Sequence, residues 1–431
     1  MEAPSKEEAM PERAGDTATG VRAAPGTVTF ADVEAAEARL RGKLVPTPLA
    51  WSQTLSAMTG AHVTLKFENL QFTASFKERG ALNRLLLLSD DERRRGVIAV
   101  SAGNHAQGVA RHGALLGIPV TIVMPETVAA TKMERTRALG ADVVCVGSTL
   151  EEAMEVGTSR AVAQGLTMIH PYDDPAVIAG QGTVAIEILR DDPATEVLLV
   201  PVGGGGLIAG VATAVKHLSP AVEVVGVQSE HYAGMAAALT GAAAGDGGPS
   251  VADGIAVREP GALPLAIARA LVDDVVTVSE ESIETAIGTY LEVEKVLAEG
   301  AGAAPLAALL EHPERFGGRH VALIVSGGNI DLRYLADVIV RDLHRSGRLV
   351  WLHLEVLDSP GTLAQVSKAI ASCHVNILQV VHRRYGATLP SKGAFLDVYV
   401  ETTGSEQLDE VVSLLSGLGY AVTTDTETPP L

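Results

Sequence analysis

A lysine on the threshold of a helix and three glycine-containing turns carry the chemistry legible in this chain. Lys77 sits in E-N-L-Q-F-T-A-S-F-K-E-R-G (68–80), just ahead of A-L-N-R-L-L-L-L, whose apolar residues read as the buried face of a helix. A helix dipole is positive at its start and disfavours a second cation there. Lys77 is therefore either solvated or held as a neutral amine, the form a Schiff-base nucleophile needs. Gly203, Gly204, Gly205 and Gly206 follow the apolar run E-V-L-L-V-P-V and open a helix. Such a turn wraps a phosphate with backbone N–H groups, or simply brings helix close to strand. There is no G-x-x-x-x-G-K-[ST], so this is not a P-loop. Gly204, Gly206 and Ala209 satisfy G-x-G-x-x-A loosely, with Glu230 downstream, which keeps a nicotinamide-dependent oxidoreductase as an alternative. S-A-G-N-H (101–105) and S-G-G-N (326–329) end two further strands; the first offers Asn104 and backbone N–H groups to a carboxylate, or Ser101 as a cap.

Alternating elements must position these turns. Strands are expected at 62–67, 97–100, 120–124, 142–146, 196–202, 222–228, 274–278 and 321–325. Helices are expected from Thr29 (with Asp32 as a cap), at 129–139, 150–164, 182–189, 207–217, 263–270, 281–294 and 302–310. Short apolar strands joined by helices imply parallel sheets covered on both faces, here two doubly wound α/β layers with a cleft at the carboxyl ends of the strands. From Leu349 the order becomes β-α-β-β-α-β, the ferredoxin-like pattern. The expected organisation is a disordered tail over 1–28, an α/β unit over 29–343 whose smaller subdomain covers about 70–168, a linker over 344–348, and a C-terminal domain over 349–431.

Composition bounds the function. A formal net charge of −19 without a concentrated basic face argues against nucleic acid. The uncharged run 197–215 holds Pro201 and four consecutive glycines, so it reads as strand, turn and helix rather than a membrane span. Cys145 and Cys373 stand far apart without metal-ligand spacing, which suits a reducing cytoplasm and gives no metal site.

Taken together, S-F-K-E-R-G-A (75–81), S-A-G-N-H-A-Q-G (101–108), H-P-Y-D-D-P-A-V-I-A-G-Q-G-T (170–183), G-G-G-G-L (203–207), A-D-G-I-A-V (252–257), E-G-A-G-A (299–303) and S-G-G-N (326–329) resemble the fold-type-II pyridoxal-phosphate enzymes. Within them the chain is similar to the threonine/serine dehydratases (ammonia-lyases), and the resemblance runs from about 30 to 340. It implies a tryptophan-synthase-β-like fold and pyridoxal 5′-phosphate as cofactor. Lys77 would form the Schiff base and act as base at the substrate Cα, and Phe76 would pack on the cofactor ring. Asn104 would bond the cofactor's phenolic oxygen, Gly203 to Gly206 would cup its phosphate, and Ser326 would face its ring nitrogen. Ser101, Asn104 and His105 would take the substrate carboxylate, and Glu299 would orient the substrate hydroxyl or a cation. The implied activity is β-elimination of L-threonine to 2-oxobutanoate and ammonia, with L-serine as a further substrate. Alternatives are a dehydratase for serine or 3-hydroxyaspartate, or a non-catalytic amino-acid sensor.

Two positions depart from the related serine racemases. Ala102 stands where those carry a serine that serves the opposite face of Cα, and Ala236 stands where they carry a metal-binding aspartate. The C-terminal segment, with D-S-P-G (358–361) and V-N-I (375–377), resembles an ACT domain. Asp358, Pro360, Gly361 and Asn376 would then hold an amino-acid effector, and the chain would form a homodimer or homotetramer.

Overall fold

The computed structural model describes residues 27–384 and 392–425. Of the tail expected over 1–28, all but the last two residues lie outside the described part, and Val28 packs into the core. The described chain forms three sheets. The largest has six strands in the order Leu49–Trp51, His62–Phe67, His320–Val325, Val197–Pro201, Glu223–Ser229 and Asp274–Val278, with every pairing parallel except the first. A four-stranded parallel sheet runs Asp142–Cys145, Val120–Met124, Val97–Val100, Thr167–Met168. The third sheet is antiparallel, ordered Asn376–Arg383, Gly393–Glu401, Leu349–Leu357, Ala421–Asp425.

The central strands are buried on both faces, which is why they read as unbroken apolar runs rather than alternating ones. Small side chains let helices approach them closely. A Cβ on Gly182 would lie 2.6 Å from the Gly210 carbonyl oxygen, so helices Pro175–Asp191 and Gly206–Leu218 touch backbone to backbone.

Three expectations need correction, and one helix was not expected. The helix expected from Gly182 begins at Pro175, because Asp174 accepts from Ala176 and Val177 N–H and proline suits the first helical turn. Asp32 is not the cap of the first helix; Thr29 is, with Asp32 closing a reciprocal capping box. The helix expected over 281–294 changes to a π turn at Tyr290–Glu294, ended by Lys295 at φ +58°. Helix Leu332–Arg345, which no expectation covered, joins the S-G-G-N turn to the C-terminal sheet; of its residues only Val338 is fully buried.

Candidate active site

Lys77 is the first residue of helix Lys77–Leu86. The loop before it is stitched to the S-G-G-N turn, which lies far away in the sequence. Phe76 N–H donates to the Ser326 carbonyl at 3.0 Å and Gly328 N–H to the Ala74 carbonyl at 2.9 Å. Ala74 takes φ +52°, which points the following residues into the cleft. The Lys77 ammonium has the Pro171 carbonyl 3.0 Å away, and among the described residues no carboxylate forms an ion pair with it. Burial pulls its pKa from 10.5 down to about 8, with Glu299 offsetting part of the shift.

A cavity of about 370 Å³ lies between the two parallel sheets, and Lys77 opens into it. Phe76, Ser101, Asn104, His105, Gly203 to Gly206, Glu299 and Ser326 line the same cavity, so the structure brings together the cofactor and substrate residues expected on the α/β unit, whereas Ala209, Glu230 and Ala236 lie outside it. Gly205 takes φ +93° and helix Gly206–Leu218 begins after it, so its first N–H groups face the cavity without intrahelical partners. A Cβ on Gly204 would sit 2.4 Å from the Tyr172 ring, and one on Gly206 2.9 Å from Tyr172. The glycine run is therefore required sterically, which a simple flexible turn would not be.

Asn104 opens helix Asn104–Leu115, whose cap position is Gly103, so Ser101 is not a helix cap; its Oγ accepts from Gly103 N–H at 3.2 Å. The His105 ring is buried and its Nε2 donates to the Ile169 carbonyl at 2.9 Å. Burial and the Lys77 charge push its pKa down to about 3, so the ring is neutral and Nδ1 carries a lone pair. Such a ring has no free N–H for a carboxylate; what His105 offers an anion is its backbone N–H.

Glu299 precedes helix Gly300–Glu311 and its N–H donates to the Gly327 carbonyl at 3.0 Å. A Cβ on Gly327 would fall 2.2 Å from Glu299 Oε1, which explains the glycine there. Burial raises the carboxyl pKa to about 7 although Asn104 Nδ2 donates to Oε1 at 2.6 Å and Lys132 lies nearby.

Sequence reasoning passed over several cavity residues. Tyr172 lies against the glycine run and was quoted only within its motif. Lys132 on helix Ala130–Ala138 pairs with Asp253 at 3.0 Å across the cavity mouth, and helix spacing gave no reason to favour it over other surface lysines. Asn329 was the unassigned end of S-G-G-N. In the C-terminal domain, Asp358 to Gly361 follow strand Leu349–Leu357 at one end of the sheet, while Asn376 pairs with Glu401 at the other. One chain does not bring those four residues together.

A family model described as "Pyridoxal-phosphate dependent enzyme" matches residues 40–327. The L-threonine ammonia-lyase of Thermotoga maritima is 44% identical over 397 residues, covering 92% of this chain and 99% of that protein. Among solved structures, threonine deaminase isoform 2 of Solanum lycopersicum superposes with a TM-score of 0.68 at 36% identity, covering 72% of this chain and 91% of that one. Maize serine racemase gives a TM-score of 0.69 at 32% identity, covering 74% and 99%.

Proposed function

This chain belongs to the pyridoxal-phosphate-dependent enzyme family, and on that premise we propose that it is an L-threonine ammonia-lyase that releases 2-oxobutanoate and ammonia. The observation that carries the reading is a half-buried lysine without an ion-pair partner among the described residues, its pKa held at about 8, in one cavity with a sterically obligatory glycine cup and a carboxyl whose pKa is raised to about 7.

The residues fit the cofactor. The cup at Gly203 to Gly206 presents N–H groups and a helix start to a phosphate, and Phe76 offers its ring beside the Lys77 amine, 5.1 Å from centroid to nitrogen. Ser326 stands at the end of strand His320–Val325 with a hydroxyl for a ring nitrogen, and Asn104 has an amide for a phenolic oxygen. When bound, pyridoxal phosphate supplies the electron sink that makes the Cα proton of an amino acid labile.

Lys77 Nζ takes that proton, and its depressed pKa keeps a useful fraction neutral near pH 7. The N–H groups of the Ser101–His105 turn bind the substrate carboxylate, with the neutral His105 ring closing the wall behind them. Glu299, about half protonated near neutrality, orients the β-hydroxyl and holds a proton close to where hydroxide departs. Ala102 places a methyl where a second proton carrier would be needed for racemisation, so loss of water is favoured over inversion at Cα.

We further propose that L-serine is a slower substrate, that 29–343 is the catalytic unit, and that 349–431 is an ACT-type regulatory domain that binds an amino acid. The alignment with the Thermotoga protein is longer than 29–343 can supply, so that relative shares the C-terminal region. Because Asn376 and the Asp358–Gly361 turn lie at opposite ends of the sheet, a site using both needs two copies of the chain, which supports a dimer or tetramer. Two free cysteines and no described helix long and apolar enough to cross a membrane support work in the cytoplasm.

The test is keto-acid release by purified protein with added cofactor. L-Threonine is expected to give 2-oxobutanoate faster than L-serine gives pyruvate. A yellow protein that releases neither keto acid would retain the cofactor and overturn the substrate.

A further inference from the structure

Asn329 has no part in the scheme above, yet it joins three segments of the cavity wall. Its Nδ2 donates to the Thr73 carbonyl at 2.6 Å and to Asn104 Oδ1 at 2.8 Å. The Thr73 carbonyl is an acceptor only, so the Asn329 atom facing it must be the nitrogen. The second hydrogen of that nitrogen then requires oxygen on the near side of Asn104, which leaves Asn104 Nδ2 pointing at Glu299 Oε1, 2.6 Å away. Thr73 is itself tethered, since its N–H donates to Glu78 Oε1, and Glu78 Oε2 meets His112 Nε2 at 2.9 Å. A run of fixed donors and acceptors therefore leads from helix Asn104–Leu115, through the Lys77 loop and the S-G-G-N turn, back to the amide of Asn104.

We propose that Asn329 is a positioning residue that fixes which way the Asn104 amide faces, so that its N–H₂ group and not its carbonyl is presented to Glu299 and to the cofactor's phenolic oxygen. Without Asn329 only Glu299 Oε1 still orders the Asn104 amide, and a protonated Glu299 can donate to the amide oxygen as well as accept from its nitrogen, so the turned-over form becomes accessible. In that form the amide oxygen faces the cofactor oxygen, and one arm of cofactor binding is lost. The inference rests on the reading that Asn104 meets the cofactor, and the experiment separates the two.

The test is a double-mutant cycle on Asn329→Ala and Asn104→Ala, read as the dissociation constant for pyridoxal phosphate titrated into the apoenzyme. Asn104→Ala alone is expected to weaken binding about tenfold, and Asn329→Ala alone by several-fold, as for loss of a buried hydrogen bond. In the Asn104→Ala background, Asn329→Ala is expected to change binding less than about twofold, because the group it positions is gone. Full additivity, or an Asn329→Ala chain that binds as the parent does, would overturn the inference while leaving Asn104 at the cofactor. If Asn104→Ala leaves binding unchanged, the reading of Asn104 itself is wrong. Should Asn329→Ala fail to fold, Asn329→Ser keeps the cycle open: its single O–H can serve the Thr73 carbonyl or Asn104, not both.

Discussion

Two cations two residues apart on one helix, Arg79 fully buried and Lys77 half-buried at the cavity, behave oppositely. Arg79 is enclosed by carboxylates: Glu68 accepts from its Nε and Nη2, both at 2.7 Å, and Glu187 from Nη1 at 2.6 Å and Nη2 at 2.8 Å. Lys66 adds a second cation to Glu187 at 2.7 Å. Burial works against the Arg79 charge, but the two carboxylates more than offset it and its pKa rises; burial likewise works against Glu187, which its partners nonetheless bring down to about 2. Lys77 is half-buried without such a pair, and its pKa falls to about 8. The lesson is that desolvation alone does not make a reactive amine. What matters is that this chain withholds the carboxylate from Lys77 and spends its carboxylates behind the helix, where charge only holds structure.

Substitutions can break each side of that contrast. Lys77→Ala should abolish keto-acid release, by at least about 10⁴-fold, and leave a folded, colourless protein. Arg79→Met leaves Glu68 buried without its partner and should cost about 3–5 kcal/mol of stability in urea unfolding, with no effect expected on the residual protein's cofactor site. Glu299→Gln should lower turnover about 10²-fold. With Glu299 protonated below about 7, the parent enzyme's turnover should fall as pH rises through that value, and the glutamine variant should lose this limb. Uptake of cofactor by the apoenzyme should quicken about tenfold per pH unit up to about 8 and then level off, as the neutral fraction of Lys77 saturates. The smallest effect belongs to the pair at the cavity mouth. Lys132→Met should raise the KM for L-threonine about two- to fivefold, as expected for a partly exposed ion pair, and exchanging the two charges (Lys132→Asp with Asp253→Lys) should recover part of it.

S-A-G-N-H, the glycine run and S-G-G-N made the cavity wall legible because each sits at the end of a short buried strand, where a parallel sheet has to place its loops. The glycines were legible for the same reason: only a residue without Cβ can lie against Tyr172 or over Glu299 Oε1. Links between motifs were not. Asn329 and Thr73 lie at opposite ends of the α/β unit, and nothing local to either announces that one donates to the other. His105 was legible as a cavity residue, but the role of its ring depends on Ile169, a neighbour no motif includes. Helix Leu332–Arg345 was legible and was passed over: Leu335, Val338, Ile339 and Leu343 recur at helical spacing, and Val338 reaches the core. The four residues expected to hold an effector rested on the ACT resemblance, and only the strand register separates Asn376 from the other three.

The most direct test is to reduce the yellow holoenzyme with borohydride, digest it and locate the cofactor-bearing peptide by mass. The account expects one modified residue, Lys77, with Lys132 unmodified although it lines the same cavity, and Lys66 unmodified although it is buried more deeply. Label on Lys132, or no label on a protein that still releases 2-oxobutanoate, would contradict the claim that the cation left without a carboxylate is the one that reacts.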